Sequence, residues 1–226
     1  MNEPLVETLR RHARWCLTLG PEQLARVAAD TAVQQVAANE PVCRKGEEAD
    51  AWIGVLDGLL KVTSSSADGR TTTFTGVPTG GWFGEGSLLK HEPRRYDAAA
   101  LRDSRIARLP RSTFEWLLDS SIPFNRYLLV QLNERLGQFI GLVEYERLLD
   151  PDAKVARVIA DLFNPILYPG NGPRLEISQG ELSLLVGFSR QRANQSLQTL
   201  EKAGLLALEY GAIRVLDMAG LRRYGN

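Results

Sequence analysis

Sulfur and imidazole are scarce in this sequence, and the shortage removes several classes of function at once. Cys16 and Cys43 are the only cysteines in 226 residues, too few for a disulfide framework, a four-cysteine zinc site or an iron–sulfur cluster held by one subunit. They read as reduced, partly buried thiols. His12 and His91 are the only histidines, and neither lies in an alternating strand with a second ligand beside it, so a metal-bearing barrel enzyme lacks its ligand set. A P-loop, a nucleophile elbow and paired catalytic carboxylates are missing as well. No stretch approaches about eighteen apolar residues, and the opening MNEPLVETLRRHARW alternates charge with apolar side chains, unlike a secretory leader. The expectation is a cytoplasmic protein with no membrane contact. Net charge is absent too, 27 basic residues balancing 27 acidic ones, so any contact with nucleic acid must come from local charge. From Arg174 onward seven basic residues stand against five acidic, a net of +2 that permits such a contact without requiring it.

What is present changes period twice along the chain. The first thirty residues read as packing helices, with Leu5, Leu9, Leu17, Leu24 and Val27 on the apolar side and Pro21 restarting the pattern at a helix N-terminus. From Thr31 to Pro110 short β-rich runs alternate with Gly and Asp, and Asp68-Gly69 marks a hairpin tip, which predicts a compact antiparallel sandwich or roll. Beyond Arg111 the period is helical again. A long segment from about Phe124 to Leu149 carries Leu129, Leu132, Leu136, Phe139 and Val143 at alternating steps of three and four, the spacing of a two-stranded coiled coil. That strip must be covered, by the chain's own β-region or by a second copy. Because Leu128, Leu142, Tyr145 and Leu149 supply another strip for the β-region, the first is assigned to a homodimer interface. Asp150-Pro151-Asp152 then ends the helix and caps the next. The divisions are residues 1–120, 121–150 and 151–226.

The last division holds the most informative segment, EISQGELSLLVGFSRQRANQSLQTLEKAGLLALEYGAIRVLD. Ser178 and Glu181 form a capping box that opens a short helix with Leu182, Leu185 and Val186 inward. Gly187 supplies a tight turn. Ser189 caps a second helix whose Ala193, Leu197 and Leu200 share one side. The opposite side carries Arg190, Gln191, Asn194, Gln195 and Gln198, residues able to read base edges: arginine bidentate to guanine, amides to adenine. Ser178, Gln179 and Arg192 are candidates for phosphate contacts. Solvated amides on a plain helical hairpin would have the same spacing, but Glu209 to Ala212 between two apolar runs adds a β-hairpin wing. Double-stranded DNA is the expected partner.

These blocks together resemble the CRP/FNR family of bacterial transcription regulators, over nearly the whole chain. GGWFGEGSLLKHEPRRY is similar to the family's phosphate-binding cassette, with Glu85 and Arg95 at its ten-residue spacing; the long helix ends in LLD before a short helix; and VGFSRQRANQSLQTLE matches the family's helix-turn-helix. The resemblance implies an α+β chain: an N-terminal antiparallel β-roll (a double-stranded β-helix like that of cyclic-nucleotide-binding domains), a long dimerisation helix and a C-terminal winged helix-turn-helix. It also implies a homodimer on a two-fold symmetric operator. The family's cAMP receptor reads DNA through Arg, Glu and Arg, whose counterparts are Arg190, Gln191 and Gln195, so a different half-site is expected.

For the roll the resemblance implies an effector. Gly84, Glu85, Gly86, Ser87 and Arg95 stand where the family holds a cyclic phosphate and its ribose. Tyr96 replaces a serine of the cAMP binders, however, and Phe139 and Ile140 replace the threonine and serine that hold adenine. Three alternatives stay open: cAMP or another cyclic nucleotide, a different small anion, or no ligand, with Glu85 and Arg95 paired inside the roll. Iron–sulfur sensing wants more cysteines, and haem sensing a Cys or His in the roll, where only Cys43 and His91 occur. The loop from Asn164 to Pro173 stands where relatives touch RNA polymerase, an expected partner, although its composition is equally that of a plain surface loop. Two competing classes remain, a nucleotide-binding module acting on a protein partner and a cupin-like enzyme.

Overall fold

The computed structural model describes residues 4–225 apart from 67, 69, 149 and 171. Gly69 and Leu149, expected at a hairpin tip and on the roll-facing strip, lie outside the described residues. At the N-terminus α1 (Leu5–His12) and α2 (Pro21–Asp30) flank a short 3-10 turn, Arg14–Thr18. Pro21 sits at the first position of α2 as expected, where its missing N–H costs nothing. Leu17, expected inward, is exposed, because the tighter turn aims Trp15 and Cys16 at the core instead.

Eight strands follow: β1 (Ala32–Val36), β2 (Pro41–Cys43), β3 (Ala51–Asp57), β4 (Leu59–Ser65), β5 (Thr71–Pro78), β6 (Trp82–Phe83), β7 (Asp97–Ala100) and β8 (Ser104–Pro110), with α3 (Glu85–Leu89) after β6. They form two four-stranded antiparallel sheets, ordered β1-β8-β3-β6 and β2-β7-β4-β5. Between them pack Ile53, Val55, Leu60, Val62, Val77, Phe83, Ala98 and Ile106. AWIGVLDGLLKVTS, read as one run, breaks at Gly58, whose φ of +115° and closeness to Ser104 admit no side chain. Against one sheet lies a second core of Trp15, Trp52, Trp82, Phe114 and Phe124, their ring centroids 4.8 to 5.9 Å apart. It anchors α4 (Arg111–Ser120) and the start of α5 (Ile122–Leu148).

At about 1.5 Å per residue, the 27 residues of α5 run about 40 Å. After it come α6 (Pro151–Leu162), β9 (Arg174–Glu176), α7 (Gln179–Val186), α8 (Arg190–Lys202), β10 (Leu206–Glu209), β11 (Ala212–Val215) and α9 (Met218–Arg223). Asp150 caps α6, its Oδ1 accepting from the amides of Asp152 and Ala153 at 2.9 Å each. A third core joins α6, α7, α8 and the β10-β11-β9 sheet through Val155, Ile159, Leu182, Leu185, Leu197, Leu200 and Ile213. Leu59 of the roll belongs to that same core, so this unit is docked on the β-domain. At the contact a Cβ on Gly76 would come within 2.8 Å of Leu185.

Candidate nucleic-acid interface and roll cassette

Local chemistry sets the helix pair. Ser178 Oγ accepts from the Glu181 amide at 3.2 Å, and the Glu181 carboxylate accepts from the Ser178 amide at 2.6 Å, the reciprocal box expected from the sequence. Gly187 ends α7 at φ +72°. Ser189 caps α8 through the Arg192 amide at 3.2 Å. With Ala193, Ser196, Leu197 and Leu200 buried, Arg190, Gln191, Gln195 and Gln198 stand exposed on the other side of α8. Asn194 lies at the boundary, half-buried, with an Oδ1 that has no hydrogen-bond partner. Arg192 is tied back: its guanidinium reaches Asp152 at 2.7 Å, as does the Ser196 hydroxyl. Of the proposed phosphate contacts, Gln179 is half-exposed at the start of α7, while the Ser178 hydroxyl serves the cap. Beyond α8 the β10–β11 hairpin projects as a wing with Tyr210 fully exposed at its tip and Gly211 at φ +67°.

In the roll, Gly84, Glu85, Gly86 and Ser87 do come together at the start of α3, after a glycine at φ +95°. Arg95 does not join them. Its side chain is 69% exposed and forks onto Glu92 at 2.5 and 3.0 Å. The inward arginine is its neighbour Arg94, buried, donating to the Ala51 carbonyl at 2.8 Å, with an Nη1 that has no partner. The Glu85–Arg95 pair expected for an unliganded roll is therefore incorrect. Glu85, with a side chain 3% exposed, pairs instead with Arg135 of α5: Nε to Oε1, 2.9 Å. Its Oε2 accepts from Trp52 Nε1 at 3.3 Å, and Arg135 also donates to the Trp82 carbonyl at 2.7 Å. Burial works against the Arg135 charge, but the Glu85 carboxylate, with Tyr168 and Tyr96 around it, outweighs this and raises its pKa.

Arg135 was not singled out in the sequence. It continues an inward face that begins with Leu128 and carries Gln131 and Gln138, which reach the Trp82 carbonyl and Thr75 Oγ1 at 3.4 Å each. The roll-facing strip is thus polar along its middle, not the apolar strip expected; Leu142 and Tyr145 are half-buried. The signal was a lone arginine seven residues after Leu128. On the outer edge Leu129, Leu136, Phe139, Ile140 and Val143 are exposed, while Leu132 is half-buried against the tryptophan core. Phe139 meets Phe74 edge-on at 6.2 Å, and Tyr96 lies against Phe83 at 6.3 Å.

The family's cyclic nucleotide needs a carboxylate for the ribose hydroxyl and a cation for the phosphate. Glu85 accepts one bond on each oxygen, from Arg135 and from Trp52, which leaves acceptor sites on the carboxylate, while Arg95 is turned outward and the cation beside the cassette is Arg94. The loop after α6 is also not the plain surface loop its composition allowed. Asn164 Oδ1 accepts from the Ile166 and Leu167 amides at 2.9 and 3.0 Å, and Leu167 and Tyr168 are buried in the roll core. Gly170, Gly172 and Pro173 stay exposed. Among the described residues no helix is long and apolar enough to cross a membrane, and no group of three His, Cys, Asp or Glu is placed to hold a metal.

Comparison with known proteins accounts for both halves. Residues 33–121 match the model of the cyclic nucleotide-binding domain, and residues 153–224 that of the Crp-like helix-turn-helix domain. The transcriptional regulator SdrP of Thermus thermophilus is 29% identical over 176 residues, 74% of this chain and 80% of that protein. The CRP-like protein Clp of Xanthomonas campestris is 26% identical over 214 residues, 91% and 93% of the two chains. Among solved structures, FixK2 from Bradyrhizobium japonicum superposes with a TM-score of 0.71 over 87% of this chain and 98% of its own at 16% identity, a likeness of fold. A roll matching one model, a docked helix-turn-helix matching the other, and regulators aligned across both make this chain a member of the CRP/FNR family of DNA-binding transcription regulators.

Proposed function

We propose that this regulator works in the cytoplasm as a homodimer on a two-fold symmetric operator, each α8 entering a major groove with Arg190, Gln191 and Gln195 toward the bases. Residues 1–120 would serve as the roll domain, 121–150 as the dimerisation helix and 151–226 as the DNA-binding domain. The observation that carries the reading is the two-sidedness of α8, four polar side chains exposed opposite an apolar side sealed into the third core. A recognition helix needs that rigidity to hold base-reading groups in register. The uncovered apolar edge of α5 supports the dimer, since so large a stripe is seldom left to water.

Binding-site selection from random duplexes, followed by mobility shift, tests this. A palindromic site whose half-sites are one turn apart, about 34 Å, is expected. Changing Arg190 and Gln191 to alanine together should abolish discrimination between operator and random duplex, each lost bidentate contact being worth about 1–3 kcal/mol. Selective retardation that survives the double change overturns the assignment. Affinity should fall with salt at a slope of about −0.9 per phosphate contacted. RNA polymerase is the proposed protein partner, through the exposed end of the Asn164–Pro173 loop. Deleting Gly172 alone should abolish activation and leave operator affinity unchanged, because Leu167 and Tyr168 keep their places in the roll core and the Pro173 carbonyl keeps its bond from the Val215 amide.

A further inference from the structure

We infer that a groove beside the start of α5 is a binding site for a single-chain carboxylate amphiphile, a fatty acid, held at its acid end by Arg14 and Arg126. The groove has a volume of about 530 Å³ and lies between the 3-10 turn Arg14–Thr18, the first turns of α5 and Ile166 in the loop after α6. Its apolar side chains stand in water, Leu17 66% exposed and Val130 48%. The same turn that sends Trp15 and Cys16 into the core leaves Leu17 on this side. Tyr127 lines the groove too, half-buried, its hydroxyl donating to the Ile166 carbonyl at 3.5 Å. Both charged residues in the lining are arginines. Arg14 Nη1 donates to the Pro165 carbonyl at 3.1 Å, a bond that positions the guanidinium and leaves its charge unneutralised. Burial pushes the pKa of the Tyr127 phenol up to about 12, and the Arg14 charge is foremost among those opposing the rise. Arg126 is exposed and has no carboxylate partner among the described residues.

Apolar walls with two uncompensated guanidiniums call for a ligand that is apolar along its length and anionic at one end. A neutral hydrocarbon would leave the charges unanswered, and a small polar anion would leave the walls in water. The size suits one chain: sites of about 300–1,000 Å³ take a single small ligand, whereas a protein partner needs about 800 Å² from each side. A second copy seated on the α5 seam does not cover the groove, because Pro123, Arg126 and Val130 recur at steps of three and four on a different face from Leu136 and Val143. No cassette residue takes part. A chain lying there ties the loop after α6 to the start of α5.

Titration calorimetry of the full-length protein with dodecanoate, kept below its micelle-forming concentration, should give saturable binding of one molecule per chain. Dodecanol should bind at least about tenfold more weakly for want of charge-assisted bonds. Octanoate, four methylenes shorter, should lose about the same factor. Changing Arg14 and Arg126 to alanine together should bring dodecanoate down to the level of dodecanol; both side chains are exposed, so the fold should survive. A dodecanoate analogue with a diazirine at mid-chain, photolysed on the unaltered protein, should attach to residues 14–18, to residues 123–130 or to Ile166. Absence of saturable heat, dodecanol bound as tightly as dodecanoate, an undiminished preference in the double variant, or attachment confined to other segments overturns the inference. A Val130→Glu protein with a lower mass than the parent by light scattering also overturns it, by giving the groove to a second copy. None of these measurements involves DNA, so their outcome is independent of the operator reading.

Discussion

Asp161, on α6 beside the junction of the two domains, is a carboxylate in the wrong surroundings. Burial pushes its pKa up from 3.8 to about 7, and the nearby charges of Arg222 and Arg157 offset only part of the rise. In the folded protein it therefore binds a proton over a pH range where the unfolded chain has released it. The stability it contributes is fully present below about pH 4 and is lost as pH rises through about 7. Asp161→Asn should flatten that slope, raising the midpoint of thermal unfolding at pH 8 relative to the parent and changing it little at pH 4. The difference is a few kcal/mol at about 1.36 kcal/mol per unit. Parallel melting curves for the two proteins from pH 5 to 8 would refute it. Glu181 has the opposite sign. Burial works against its ionised form, but the forked bond from Arg102 and the Ser178 amide hold its pKa below the usual carboxylate range. Its contribution is present at neutral pH and is lost as the solution is acidified through that depressed pKa. Ser178→Ala should cost about 1 kcal/mol in a denaturant titration, the usual worth of such a cap.

Among the elements, α5 shows most clearly where sequence is readable and where it stops. Its length, its end before Asp150, which caps α6, and its exposed seam follow from local spacing, as do the box at Ser178 and Glu181, the turn at Gly187 and the cap at Ser189, because each depends on residues within one helical turn. The Glu85–Arg135 pair joins residues 50 apart, and no periodicity reports such a meeting. The cassette loop misled for a related reason. Between α3 and β7 the chain follows neither a period of 3.6 nor one of 2, so nothing local says which of Arg94 and Arg95 turns inward, and the structure turns in Arg94. On the seam itself, Leu136, 58% exposed, is the position to probe. Leu136→Asp would put a charge in the proposed interface, and light scattering should find the parent dimeric and Leu136→Asp monomeric, with operator affinity greatly reduced. A dimeric Leu136→Asp protein would remove the seam from the interface.

On the scale of the whole molecule, roll and helix-turn-helix share more than a covalent connection. Arg102, in the turn between β7 and β8, forks onto Glu181 at 2.6 and 2.7 Å and donates to the Glu176 carbonyl at 3.0 Å, while Leu59 extends the core of the C-terminal domain. Arg102→Ala should loosen this docking, and calorimetric melting should then resolve into two transitions where the parent shows one. A single transition in both would mean that Leu59 and Gly76 hold the domains together without it. The carboxylate that Arg102 grips is also the one that accepts from the amide of Ser178, the residue that caps α7. One oxygen, Oε2, thus answers to two masters, so that one of the routes by which a torque on the roll reaches the cap of the helix pair narrows to a single atom.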